Sequence, residues 1–152
     1  MLELLLAFLI KPFEGLAKKL ANGLIGPYIC PAGFATQGFG LLVKDMTVDP
    51  ITPGEAEDRL KAAVPYYVQE AFRLSPNLIN ATPGQQAAIV DFVFNLGSVK
   101  YKTSTLRKRV NEGDWEAACV ELRKWVNGGG RKLPGLVARR EAEILLIRKT
   151  LN

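Results

Sequence analysis

The stretch Thr82-Pro83-Gly84-Gln85-Gln86-Ala87-Ala88-Ile89-Val90-Asp91-Phe92-Val93-Phe94-Asn95-Leu96 decides how the rest of the chain is read. Its first four residues are a helix start: a hydroxyl cap, a proline at the first helical position and a glutamine placed to reach back to the cap. From Ala87 to Leu96 eight of ten residues are apolar, and they lie on every side rather than along one stripe. A helix without a polar face has to be enclosed by other elements, so the centre of the fold is expected here. Thr52-Pro53-Gly54-Glu55 repeats the start signal and opens a helix toward Phe72, with Pro65 as its kink point. Downstream, Trp115, Ala118, Cys119, Leu122 and Val126 share one face of a helix over 114–126, and Gly128-Gly129-Gly130 is read as its stop. Pro134 opens the last helix, whose stripe is Val137, Arg140, Ile144, Ile147 and Leu151; Arg139 lies off it.

At the other end, Leu2, Leu5, Leu6, Leu9 and Phe13 keep a 3.6-residue period, and Pro12 and Gly15 end or kink that helix. Between Gly23 and Gly40 glycine and proline become dense around short runs such as Tyr28-Ile29-Cys30 and Phe34-Ala35-Thr36. That pattern predicts a small, tightly turned β element with a hairpin turn at Pro31-Ala32-Gly33. The expected fold class is α+β, one domain over 1–152. It has a small N-terminal β lobe at about 22–48 and a larger helical lobe at about 53–152 plus the N-terminal helix, joined by the central buried helix.

Composition removes several function classes. The chain of 152 residues has no histidine, which excludes a histidine triad, a histidine metal site and a histidine pH switch. A formal charge of +5 favours an anionic partner, whether nucleic acid, a lipid surface or an acidic wall polymer, without choosing among them. Lys100, Lys102, Arg107, Lys108, Arg109, Arg123, Lys124, Arg131, Lys132, Arg139 and Arg140 crowd the C-terminal half with few aromatics among them, so a solvated face is favoured over a nucleic-acid surface. Two cysteines make no disulfide framework, and a reduced compartment is the expectation. Leu2 to Ile10 carries Glu3 and is too short to cross about 30 Å of hydrocarbon, so stable membrane insertion is not expected; the run also lacks the marks of a signal peptide.

Without histidine, hydrolytic chemistry falls to carboxylates, hydroxyls and a thiol. Glu14 ends the first helix between apolar neighbours, where the negative end of the helix dipole favours its protonated form. A protonated carboxyl is what glycosidic cleavage needs as general acid; a surface glutamate at a helix end is the plain alternative. Cys30 beside a glycine-rich turn is either a small buried hydrophobe or a functional thiol. Thr36 is either a strand threonine or a hydroxyl that glycine neighbours open to a ligand or water. Cys119 reads as core, and Arg140 as a pin between helices or a cleft residue facing an anion.

Several segments together resemble a known family: Lys11-Pro12-Phe13-Glu14-Gly15-Leu16, Pro31-Ala32-Gly33, Thr36-Gln37-Gly38-Phe39-Gly40, Asp91-Phe92-Val93-Phe94-Asn95-Leu96-Gly97, Ser104-Thr105-Leu106, Trp125-Val126-Asn127-Gly128-Gly129 and Leu133-Pro134-Gly135-Leu136-Val137-Ala138-Arg139-Arg140-Glu141-Ala142-Glu143. In this order, from about Leu9 to Leu146, they resemble the phage-type lysozymes, glycoside hydrolase family 24. The resemblance implies a lysozyme-like fold and an endolysin that hydrolyses the β-1,4 bond between N-acetylmuramic acid and N-acetylglucosamine in bacterial peptidoglycan. It implies Glu14 as general acid, with Cys30 and Thr36 placing a water for inverting attack, and substrate in a cleft between the lobes. It implies no cofactor or metal, no nucleic-acid partner, a monomer, and storage in the host cytoplasm until a separate holin opens the way to the wall. The chain departs from the family pattern in two places. Fifteen residues, Gly15 to Ile29, separate Glu14 from Cys30 where a shorter interval is usual, and Leu41 stands where Thr-Ile-Gly-Tyr-Gly-His-Thr has its histidine. Two other readings stay open: a peptidoglycan-binding or virion-associated module without catalysis, and membrane disruption by the basic half with the apolar N-terminus.

Overall fold

The computed structural model describes residues 1–149 and divides into two compact units. The smaller is Ile10–Pro65; the larger takes in Met1–Leu9 and the chain from Tyr66 onward. It is an α+β fold with a helical majority. The helix that passes from the smaller unit into the larger is α3, Pro53–Leu74, whereas the enclosed helix is α4, Pro83–Leu96, within the larger unit.

The smaller unit starts at the end of the N-terminal helix. That helix is built of α1, Leu2–Leu4, a π-helical stretch, Leu5–Ile10, and α2, Lys11–Glu14. Pro12 explains the wide turn ahead of it: it has no N–H for the carbonyl of Phe8, and its ring crowds that carbonyl. The widening also shifts the expected stripe. Leu5 and Leu9 are fully buried as expected, while Leu2 is half exposed and Ile10 joins the buried set. Beyond α2, strands β1, Tyr28–Ile29, β2, Ala35–Gln37, and β3, Leu41–Leu42, form an antiparallel sheet in that order. The expected turn is present: Gly33 N–H donates to the Cys30 carbonyl at 2.8 Å, with Gly33 at φ 88°. Ile10, Ile25, Phe39, Ile51, Ala56, Leu60 and Val64 are the buried apolar residues of the smaller unit. α3 opens on a reciprocal cap, Glu55 N–H to Thr52 Oγ1 at 3.0 Å and Thr52 N–H to a Glu55 carboxylate oxygen at 2.7 Å. It continues through Pro65 to Leu74; Pro65 and Lys61, whose carbonyl loses its helix donor there, both lie on the exposed side.

In the larger unit α4 carries the same kind of cap. Gln85 N–H donates to Thr82 Oγ1, and Thr82 N–H to the Gln85 side chain. Every residue from Ala87 to Val93 is buried, and α8, Pro134–Lys149, is the main neighbour. The 3-10 turn Pro76–Asn80 precedes α4, and between α4 and α8 come α5, Ser98–Lys102, α6, Thr105–Glu112, and α7, Trp115–Leu122. α7 stops four residues before the expected Val126, tightened by bonds from Lys124 N–H to Glu121 O and from Trp125 N–H to Leu122 O. The glycine run therefore does not stop a helix. It turns a hairpin, β4, Asn127–Gly128, to β5, Arg131–Lys132, whose two connecting glycines have φ 58° and 77°. Two successive left-handed residues are the backbone of a tight two-residue hairpin, and glycine reaches it without a side-chain clash.

On α8, Arg140, Ile144 and Ile147 are buried as expected; Leu151 lies outside the described residues. Arg139 is buried as well, contrary to the single stripe. It makes a two-pronged pair with Asp91, both bonds at 2.8 Å. Arg140 donates through Nη2 to Asn95 Oδ1 at 3.0 Å and to Glu143 Oε1 at 2.7 Å, with its guanidinium over the Phe92 ring. Arg140 is thus a pin between α8 and α4. Burial pushes the Glu143 carboxyl well above the usual carboxylate range.

Candidate active site

Glu14, Cys30 and Thr36 all belong to the smaller unit. Glu14 is the last residue of α2 and is half-buried; Gly15 follows at φ 61° and turns the chain out of the helix. Lys11, one helical turn earlier, donates to a Glu57 carboxylate oxygen of α3 at 2.8 Å, and Lys61 lies 3.2 Å from the same atom. The two ammonium groups hold the Glu57 carboxyl below its ordinary range and tie α2 to α3. The Glu14 carboxylate lies against Gly40, between β2 and β3: a Cβ at that glycine would stand 2.6 Å from Glu14 Oε2. Gly40 also holds φ 78°. The absent side chain is what lets the carboxylate approach the turn.

The β1–β2 register pairs Tyr28 with Thr36 and Ile29 with Ala35, and the Cys30 N–H donates to the Phe34 carbonyl at 2.9 Å. Side chains alternate across a strand, so Tyr28, Cys30 and Thr36 share one face of the sheet, with Cys30 diagonal to Thr36. Cys30 is half-buried and Thr36 buried. Thr36 Oγ1 donates to the Tyr28 carbonyl at 3.1 Å, which uses its proton and leaves its lone pairs as acceptors. On the opposite face Gln37 Nε2 donates to the carbonyls of Ile25 at 3.0 Å and Asp49 at 2.9 Å, and Gln37 Oε1 accepts from Arg59 at 3.0 Å. Both ends of this buried amide are used, fixing β2 to the loops and helix around it.

The long interval after Glu14 is folded. Leu20 N–H donates to Leu24 O, Gly23 N–H to Leu20 O, and Lys19 bridges Ile25. Ile25 and Ile51 then exchange both backbone bonds, at 2.7 and 3.0 Å. The extra residues form a turn clamped at its base. Leu41, in the position of the missing histidine, pairs with Gln37 in the β2–β3 ladder. Sequence reading had found Gly40 only as a turn glycine and had not found Gln37 or the Lys11–Glu57 pair. The doubled glycine of Gly38-Phe39-Gly40 is the one local signal that pointed there. Cys119 is a free, buried thiol, and burial raises its pKa, as a core position requires.

Residues 11–143 match the family model described as phage lysozyme. An endolysin of Acyrthosiphon pisum secondary endosymbiont phage 1 is 38% identical over 140 residues, 89% of either chain. A protein of Bacteriophage PS119 named SAR-endolysin is 33% identical over 121 residues, 77% of this chain and 70% of its own. Among solved structures, the muramidase domain of SpmX from Asticaccaulis excentricus superposes with a TM-score of 0.75 at 27% identity, over 91% of both chains. The family match over residues 11–143 and a relative 38% identical over 89% of either chain lead to one conclusion: the chain belongs to the phage lysozyme family.

Proposed function

We propose that this chain is a phage endolysin whose muramidase reaction cleaves the β-1,4 bond between N-acetylmuramic acid and N-acetylglucosamine of peptidoglycan. Glu14 is the general acid and passes its proton to the leaving glycosidic oxygen. Thr36 holds the attacking water: its hydroxyl proton is spent on Tyr28, so the water donates to Oγ1 and keeps a lone pair for the anomeric carbon. Cys30, diagonal to Thr36 on the same face, takes the second hydrogen of that water at sulfur, and the proton is lost to solvent as the bond forms. Attack from the face opposite the leaving group gives inversion. The observation that carries this reading is the Glu14 carboxylate brought to the β2–β3 turn by the missing side chain of Gly40, beside a sheet that bears Cys30 and Thr36.

The test is product analysis of purified peptidoglycan digested by the wild type. Muramic acid at the new reducing end, released first as the α-anomer in a proton NMR time course, is expected. Glucosamine at the reducing end, or a retained β-anomer, would overturn the assignment. For location, no described helix is long and apolar enough to cross a membrane, and Leu5, Leu9 and Ile10 are spent in the fold. From the likeness to phage endolysins we infer a monomer that reaches the wall through a holin. Expression in host cells without a holin should leave them intact, and lysis under those conditions would refute that route.

A further inference from the structure

The positive charge of the larger unit is unevenly spent. Arg73, Arg109, Arg123, Lys124, Arg139 and Arg148 each face a carboxylate at ion-pair distance, and Arg140 is buried against Glu143. Lys102 and Lys108 form no ion pair among the described residues, and Arg107 donates to backbone carbonyls, Leu74 O at 2.8 Å and Lys102 O at 3.1 Å. A carbonyl offers a dipole and not a full opposite charge. These three cations line one groove of about 450 Å³, where the end of α5 meets the face of α6 marked by Ser104, Arg107, Lys108 and Asn111. Its single carboxylate, Glu112, is taken by Arg109 at 2.9 Å. None of Glu14, Cys30 or Thr36 lines it.

Three like charges held around a concave surface repel one another and raise the local concentration of anions. Arg107 is held in place by its two carbonyl bonds, so one charge is fixed, while the exposed lysines adapt. The lining has no aromatic ring, and single-stranded nucleic acid is gripped by stacking its bases on aromatic platforms. A flexible phosphate chain without bases needs only spaced cations and room.

We propose that the groove of Lys102, Arg107 and Lys108 is a docking site for a base-free phosphate polymer, separate from the hydrolytic site and independent of the hydrolytic reading. The probe is sodium tripolyphosphate, titrated calorimetrically into the full chain at low salt. Lys102→Glu/Lys108→Glu should weaken binding at least tenfold, while Arg131→Glu/Lys132→Glu, an equal change of net charge on exposed residues outside the groove, should change it less than threefold. Binding should also weaken several-fold between 0.05 and 0.2 M salt as the charges are screened. If the charge reversal lowers the unfolding midpoint, Lys102→Gln/Lys108→Gln serves in its place, with a loss of at least threefold expected. No heat with tripolyphosphate, equal weakening in both double variants, or tighter binding of a single-stranded DNA oligonucleotide at equal phosphate concentration would each overturn the proposal.

Discussion

Replacing Gly40 by alanine would put a methyl group 2.6 Å from Glu14 Oε2, and the carboxylate would have to retreat by about 0.8 Å to reach an ordinary 3.4 Å contact. Gly40 also sits at φ 78°, where an alanine costs roughly 1–2 kcal/mol. Two effects are mixed, and the molecule supplies a means to separate them. Gly33 has φ 88° and nothing within 4 Å of where its Cβ would stand, so Gly33→Ala carries the backbone strain without the collision. Each variant should lose about 2–8 °C of unfolding midpoint for a domain of this size. Only Gly40→Ala displaces the acid, and a misplacement of this order costs on the order of tenfold to a hundredfold in rate. The assay is the clearing rate of purified peptidoglycan at saturating substrate, at a temperature where both variants are folded. Gly40→Ala clearing as fast as wild type, or Gly33→Ala losing as much rate as Gly40→Ala, would refute the role given to the missing side chain.

Cys30→Ala should lower clearing at least tenfold while Cys119→Ser leaves the rate of folded protein unchanged, and equal rate losses would refute the separation of site from core. Cys30→Asp should keep substantial activity, since a carboxylate also orients water; complete loss would assign the thiol a chemistry of its own. Arg139→Ala leaves the buried Asp91 without its two-pronged partner, a loss of about 3–5 kcal/mol seen as a midpoint drop on the order of 10 °C. It should cost at least as much as Arg140→Ala, whose partner Glu143 has the option of remaining neutral; a drop under about 2 °C for Arg139→Ala would sink this reading. For Glu143 the folded state favours the protonated form, so the native chain holds a proton that the unfolded chain releases above its ordinary value of 4.5. Stability from this group is present below that pH and declines as pH rises above it. Glu143→Gln should flatten the fall in denaturation midpoint from pH 5 to 8, and an unchanged slope would contradict the burial argument.

Much of the fold was legible because its signals are local. Thr52 and Thr82 each announce a helix within four residues, and both caps form with the bonds their residue types call for. The glycine run misled because glycine ends a helix and turns a hairpin for the same conformational reason; only pairing between Asn127-Gly128 and Arg131-Lys132 separates the two. Arg139 was placed outside because a narrow stripe assumes one buried face, while this part of α8 buries neighbouring positions. In the candidate site, Glu14, Cys30 and Thr36 could be picked by residue type and resemblance. Gly40 could not, since its contact with Glu14 spans 26 positions and leaves no periodic trace. The interval from Gly15 to Ile29 departs from the family spacing, and only the long-range Ile25–Ile51 bonds together with the Lys19–Ile25 bridge show that the turn within it is clamped.

The most direct measurement compares wild type with folded Glu14→Gln in the clearing of purified peptidoglycan, side by side at matched concentration. Glutamine keeps the shape and cannot give up a proton as an acid. Clearing by the wild type with a loss of at least a hundredfold in the variant is the expected result. Clearing by both at similar rates would contradict Glu14 as the general acid, and clearing by neither would contradict hydrolysis itself.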